Sequence, residues 1–295
     1  MNAPVPIRRT AEIEEPTNRL LIHPLAARLV PLFARLGVTA NAVSLTGLLF
    51  GVLAACAYYH YRRIGWDVTG FALMIAWHVM DGADGQLARL TRTHSHLGKV
   101  LDGISDILTF AAVYTALALA LRPDHGAGIF LLVAIAGGCH AIQAATYEAL
   151  RQEYDRQAWG REAPPPARPI AGRAGFVTRT LERLDRLYYV GLGFPATGVI
   201  GSAREAIAAG IQNEPARETL VRERYREAFA PLLRAGSVLS SNYHTLAIFA
   251  FAAANAPTAY FEFTIVGFSA ILLAWRHCLS ARVTEFRARV TSAGT

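Results

Sequence analysis

The chain is 295 residues long, with 53% hydrophobic residues, 17% charged residues and a formal net charge of +7. A soluble domain carries about 25% charged residues, so this composition argues against a pair of soluble domains and excludes a disordered chain or a collagen-like repeat. Three distant cysteines, Cys56, Cys139 and Cys278, form neither a disulfide framework nor a metal knuckle. The class expected is an all-α integral membrane protein.

Residues 1–36 form a cytoplasmic N-terminus. Its first twenty residues are charged and lack an apolar core, so no cleavable signal peptide is expected. Asn18 to Arg35 reads as an amphipathic interfacial helix, with Leu21, Leu25, Leu29, Leu32 and Phe33 on one side and Pro24 and Pro31 interrupting it. A bilayer crossing needs about 20 apolar residues. Residues 37–150 supply four transmembrane helices, from the runs Asn41 to Tyr59, Val68 to Met80, Gly103 to Leu121 and Gly126 to Tyr147.

Residues 151–234 form a cytoplasmic helical insert. It opens on the breaker run Ala163-Pro164-Pro165-Pro166, offers short helices near Val177–Tyr189 and Ala216–Leu233, and holds between them an apolar stretch, Tyr188 to Ile200, too broken by glycine and proline to span. Residues 235–277 give two more transmembrane helices, divided at Asn255-Ala256-Pro257. A cytoplasmic tail, 278–295, completes the six-helix arrangement.

Arginine placement sets the orientation. Arg8, Arg9, Arg19, Arg28 and Arg35 precede the first span, Arg89, Arg92 and Lys99 lie between the second and third, and Arg276, Arg282, Arg287 and Arg289 follow the last. Only Arg62, Arg63 and Arg122 fall on the other side. The positive-inside rule therefore puts both termini in the cytoplasm. The positive charge fits a lipid surface or an anionic substrate, and no nucleic acid partner is expected.

Four aspartates interrupt the second and third spans. Asp81, Asp84, Gly85 and Ala88 share one helix face, and Gly98, Asp102 and Asp106 share a face of the next. With Thr93 at the tip of a helical hairpin, Asp84 lies level with Asp102, and Asp81 with Asp106. Like charges gathered in a partly desolvated site are neutralised either by protonation or by hard divalent cations such as Mg²⁺ or Mn²⁺. Small residues on these faces let a ligand approach the backbone, and Arg89 can meet a phosphate bidentately.

The series Asp81-x2-Asp84-Gly85-x2-Ala88-Arg89-x8-Gly98-x3-Asp102-x3-Asp106 resembles the signature of the CDP-alcohol phosphotransferase (CDP-alcohol phosphatidyltransferase) family. Val38-Thr39-Ala40-Asn41 and Thr46-Gly47 are similar to the family's start of the first span, with Ala40 where proline is common. The resemblance implies two divalent ions, Mg²⁺ or Mn²⁺, held by Asp81, Asp84 and Asp102 with Asp106 beside them. It implies that Gly85, Ala88, Arg89 and Gly98 bind the CDP-alcohol, and that Asp106 is the general base. A homodimer in the cytoplasmic (inner) membrane, with its site opening to the cytoplasm, is implied as well.

The expected activity is transfer of a phosphatidyl group from CDP-diacylglycerol to a small polar alcohol, with release of CMP. For the acceptor, His140, Gln143 and Tyr147 share one face of the fourth span, and Ser240, Ser241, Asn242 and His244 lie at the start of the fifth. Each set suits either a pocket or interhelical hydrogen bonding. Arg151, Arg156 and Arg173 of the insert favour an anionic acceptor, inositol phosphate or glycerol phosphate. Two other functions compete. An intramembrane prenyltransferase also uses Mg²⁺-bound diphosphate but carries two separate aspartate motifs, and a carboxylate-relay ion transporter spreads its charges through the membrane depth.

Overall fold

The computed structural model describes residues 12–93, 96–160, 194–211 and 215–292. All regular elements among them are helical. A π-helical turn, Asn18–Ile22, leads into α1, His23–Arg35. Pro24 follows directly on the π turn, and Pro31 lies inside α1. Ala26 and Val30 of α1 are buried with Val79, Ala83 and Leu87, whereas Leu21 and Leu32 stay exposed.

α2 (Ala40–Tyr59) begins where the Thr39 side chain accepts the Ala42 N–H at 3.2 Å. α3 (Ile64–Thr91) carries the second apolar run and the first two aspartates. It stops at Arg92, which takes a left-handed conformation with φ 55°. α4 (His96–His125) carries the other two, and α2 packs against both α3 and α4; the tip of the expected hairpin lies outside the described residues. α5 (Gly128–Trp159) ends at Gly160, also left-handed.

In the insert, a short 3-10 turn at Phe194–Ala196 precedes α6, Thr197–Ile211, and α7 spans Pro215–Gly236. α7 fulfils the expected helix at Ala216–Leu233. α6, which no expectation named, starts inside the stretch read as too broken to span; it is 15 residues long, and Val199, Ala203, Ala206 and Ile207 form its buried stripe. The expected Val177–Tyr189 helix and the proline run lie outside the described residues. Beyond α7 come α8 (Ser241–Ala253) and α9 (Pro257–Phe263), divided as expected by a turn at Asn255 with φ 55°. A π turn at Thr264–Phe268 then continues into α10, Ser269–Ser292.

Among the described residues, four helical segments are long and apolar enough to cross a membrane: Ala40–Tyr59, Gly103–His125, Gly128–Trp159 and Pro257–Ser292. The other two expected crossings fall short of that standard for physical reasons. The uncharged run of α3 stops at Asp81, and α8 is 13 residues long, which is about 20 Å of helix against a hydrocarbon core of about 30 Å.

Beside the cluster of α1 on α3, two larger cores hold the described residues together. One joins α2, α3, α4, α5, α8 and α9 through Tyr58, Met74, Trp77, Val113, Leu117, Ile248 and Tyr260. The other gathers Tyr154, Phe229, Leu279 and Phe286 where the far ends of α5 and α10 pack on α6 and α7.

Candidate active site

Asp81, Asp84 and Asp106 line one cavity of about 270 Å³, together with Gly85 and Arg89. The aspartates of α3 reach it from successive turns of one face, and Asp106 comes from the neighbouring helix. Asp84 is 6% exposed, and its Oδ2 accepts the Ser44 hydroxyl at 2.5 Å. A Cβ placed on Gly85 would lie 3.6 Å from Arg89 Nη1. The guanidinium therefore lies over a strip of backbone that carries no side chain.

Ala88 does not line the cavity. Its carbonyl closes the end of α3 by accepting the Thr93 N–H at 3.0 Å. Gly98 and Asp102 fall in α4, but their side chains lie outside the described residues. Among the described residues no three carboxylate or histidine side chains are drawn together as a metal cage. Of the four carboxylates expected to gather, Asp81, Asp84 and Asp106 share the cavity wall, with Asp84 bonded to Ser44, and the Asp102 side chain lies outside the described residues. Their donors are all oxygen, the set that suits a hard divalent cation such as Mg²⁺ or Mn²⁺ and not a thiolate- or imidazole-seeking metal.

Tyr147 and Asn242 line the cavity, as do Ser240 and Ser241. His140, Gln143 and His244 do not. The His140 and His244 rings stack with centroids 3.7 Å apart, and Tyr114 OH lies 3.0 Å from His140 Nδ1 and 2.7 Å from Tyr260 OH. Tyr260 OH is also 3.0 Å from His244 Nδ1. Gln143 Nε2 donates to the Thr264 carbonyl at 2.9 Å. These three residues tie helices to each other inside the bundle, the second of the two roles their spacing allowed.

Sequence reasoning missed the contribution of the N-terminus. Glu15, Asn18 and His23 line the cavity, with Glu148 of α5. Their one signal was the adjacent pair Glu14 and Glu15 just ahead of the amphipathic stretch. The segment is strapped down at several points. Arg226 Nη2 meets Glu12 Oε2 at 3.0 Å, Tyr154 OH donates to Glu12 Oε1 at 2.7 Å, and Arg234 Nη2 donates to the Glu12 carbonyl at 2.7 Å. Ile13 is fully packed at 2% exposure. Burial pushes the Glu12 carboxyl up, but the hydrogen bonds from Arg226 and Tyr154 outweigh it and hold the group below the usual carboxylate range.

Arg151, Arg156 and Arg204 of the insert pair with carboxylates of α5. Arg151 Nη2 meets Glu148 Oε1 at 2.6 Å and its Nη1 meets Asp155 at 3.2 Å. Arg156 and Arg204 each meet Glu153 at 2.6 Å. Neither Arg151 nor Arg156 lines the cavity, and Arg173 lies outside the described residues.

A protein-family model described as CDP-alcohol phosphatidyltransferase matches residues 37–190. A relative from Escherichia coli (strain K12), Inner membrane protein YnjF, is 28% identical over 143 residues, covering 48% of this chain and 67% of the relative. The family match takes in the whole aspartate series and more than half of the chain's length, so the chain belongs to the CDP-alcohol phosphatidyltransferase family and is a transferase of substituted phosphate groups.

Proposed function

We propose that the chain transfers the phosphatidyl group of CDP-diacylglycerol to a hydroxyl of a small polar acceptor and releases CMP. The observation that carries this reading is the shared cavity wall of Asp81, Asp84, Asp106, Gly85 and Arg89. Asp81, Asp84 and Asp102, with Asp106 beside them, are the residues that would hold two divalent ions, Mg²⁺ or Mn²⁺. When bound, such ions supply Lewis-acid neutralisation of diphosphate charge.

The chain's own groups do the rest. Arg89 binds the diphosphate through its planar fork, and Gly85 leaves room for the nucleotide against the backbone. Asp106 accepts the proton of the acceptor O–H on a carboxylate oxygen. The acceptor oxygen forms a bond to the phosphorus that carries the lipid alcohol. The bond from that phosphorus to the CMP oxygen breaks, and CMP leaves with the electron pair.

In the same reading the chain crosses the cytoplasmic (inner) membrane six times, α3 and α8 being the two crossings beyond the four long apolar segments. α1 lies along the interface, both termini are cytoplasmic and the site opens to the cytoplasm. The exposed Leu20 and Leu21 of the π turn, with Leu32 of α1, support a place at the interface, and the name of the Escherichia coli relative supports the membrane assigned. Pairing into a homodimer belongs to this proposal.

The test is product analysis with purified protein, CDP-diacylglycerol, Mg²⁺ or Mn²⁺ and a panel of alcohols. CMP is expected to appear mole for mole with a new phospholipid. Pyrophosphate released from a prenyl diphosphate would overturn the reading in favour of a prenyltransferase. Ion flux through liposomes lacking any CDP-alcohol would overturn it in favour of a transporter.

A further inference from the structure

His78 lines the cavity and has no part in the reaction drawn above. It lies on α3 one turn before Asp81 and is 6% exposed. Its Nε2 is 2.9 Å from the hydroxyl of Thr245 on α8. Thr245 is itself buried, and that hydroxyl has no other hydrogen-bond partner among the described residues. Nδ1 of His78 has no partner among the described residues either, and packing does not seal it. It is the ring nitrogen left to the cavity.

The position of the ring proton follows from the hydroxyl. A buried O–H without an acceptor is costly, so Thr245 donates to Nε2. The ring is then neutral with its proton on Nδ1, and the cavity receives an N–H donor. The Arg89 guanidinium lies over Gly85, on the other side of Asp81 along the helix. From His78 to Gly85 the helix rises about 10 Å. Two hydrogen bonds of about 3 Å leave about 4 Å along the axis, the scale of a diphosphate. With one phosphate at Arg89, the other comes to His78, and in the transfer reading that one carries the lipid alcohol. Its oxygens are anionic, the acceptors to which an N–H bonds most strongly.

We propose that His78 binds the substrate, its Nδ1–H donating to an oxygen of the phosphate that carries the lipid alcohol. Thr245 is the positioning residue that holds the tautomer. The proposal rests on the transfer reading above. It gives the two phosphates separate partners, Arg89 for the one that leaves with CMP and His78 for the one transferred. Thr245 lies beyond the family match, which ends at residue 190, so the aspartate series does not supply this contact.

CDP carries the second phosphate and CMP lacks it, so the ratio of their affinities isolates the contact. Both are titrated against the purified full chain in Mn²⁺, with His78→Phe, His78→Asn, Thr245→Val and Thr245→Ser beside it. His78→Phe is expected to lower the preference for CDP over CMP about tenfold, with CMP affinity little changed. His78→Asn, whose amide N–H stands where Nδ1 stood, should retain most of the preference. Thr245→Val should lower it several-fold, and Thr245→Ser should keep it. An unchanged ratio in a folded His78→Phe chain, or an equal loss for both nucleotides, would overturn the proposal. If that variant does not fold, Thr245→Val, which keeps the imidazole, decides in the same way. Binding of neither nucleotide by the unaltered chain would bring down the transfer reading, and this proposal with it.

Discussion

Ser44 on α2 donates its hydroxyl to Asp84 Oδ2 on α3 at 2.5 Å, linking the first span to the aspartate helix 40 positions along the chain. Because Asp84 is 6% exposed, this donor compensates a carboxylate that has lost most of its water. Ser44→Ala should cost about 1–3 kcal/mol, read as a lower unfolding temperature in detergent together with slower CMP release. Ser44→Thr keeps the hydroxyl and should retain most of both.

Arg89 is expected to act on the nucleotide before any chemistry. Arg89→Ala should weaken CDP binding by about 2–5 kcal/mol, the range for removing one partner of a buried charge pair. Arg89→Lys should recover part of that loss, since an ammonium keeps the charge but not the bidentate fork. Equilibrium binding of CDP to the three proteins measures this, and equal affinity in all of them would remove Arg89 from the nucleotide site.

α2 and α4 touch where Gly51 meets Thr109. A Cβ on Gly51 would clash with Thr109 Oγ1 and would lie 2.6 Å from Thr109 Cγ2 and 2.9 Å from Thr109 Cβ, and Thr109 is wholly buried. Gly51→Ala should therefore destabilise by about 1–3 kcal/mol through overpacking. It should also lower activity, because Thr109 lies one turn beyond Asp106. Adding Thr109→Ala removes two of the three clashing atoms and should restore part of the unfolding temperature.

The Glu12 strap has a definite pH dependence. Its carboxyl is held below the usual carboxylate range, so its contribution is full above the unfolded pKa of about 4.3 and fades as pH falls through the lower folded value. Protection of the N-terminal segment from a protease should accordingly hold at neutral pH and decline in acid. Glu12→Gln should reduce protection at neutral pH and flatten the acid response. An acid response of the same size in that variant would assign it to another group.

The aspartate helices were legible in the sequence because their geometry is local. Spacing alone puts Asp81 and Asp84 on one face and Thr93 near a turn, and Arg92 duly ends α3. The turn at Asn255 was readable for the same reason. Glu15 was not, because its neighbours Ser240 and Asn242 come from the far end of the chain and only tertiary packing unites them. His140 and His244 fitted a pocket or an internal contact equally well, since periodicity gives a face but not what the face meets. α6 went unnamed because the reading of its region asked only whether the stretch could span; its glycines have weak helix propensity, and the buried stripe from Val199 to Ile207 offsets it.

The most direct measurement is single-turnover CMP release by Asp106→Asn, set beside its affinity for CDP. With Asp106 as the proton acceptor, release should fall about 10²–10⁴-fold while CDP affinity stays within a few-fold of the parent. Release at the parental rate would contradict the assignment of Asp106 as the base and, with it, the reaction drawn for this cavity.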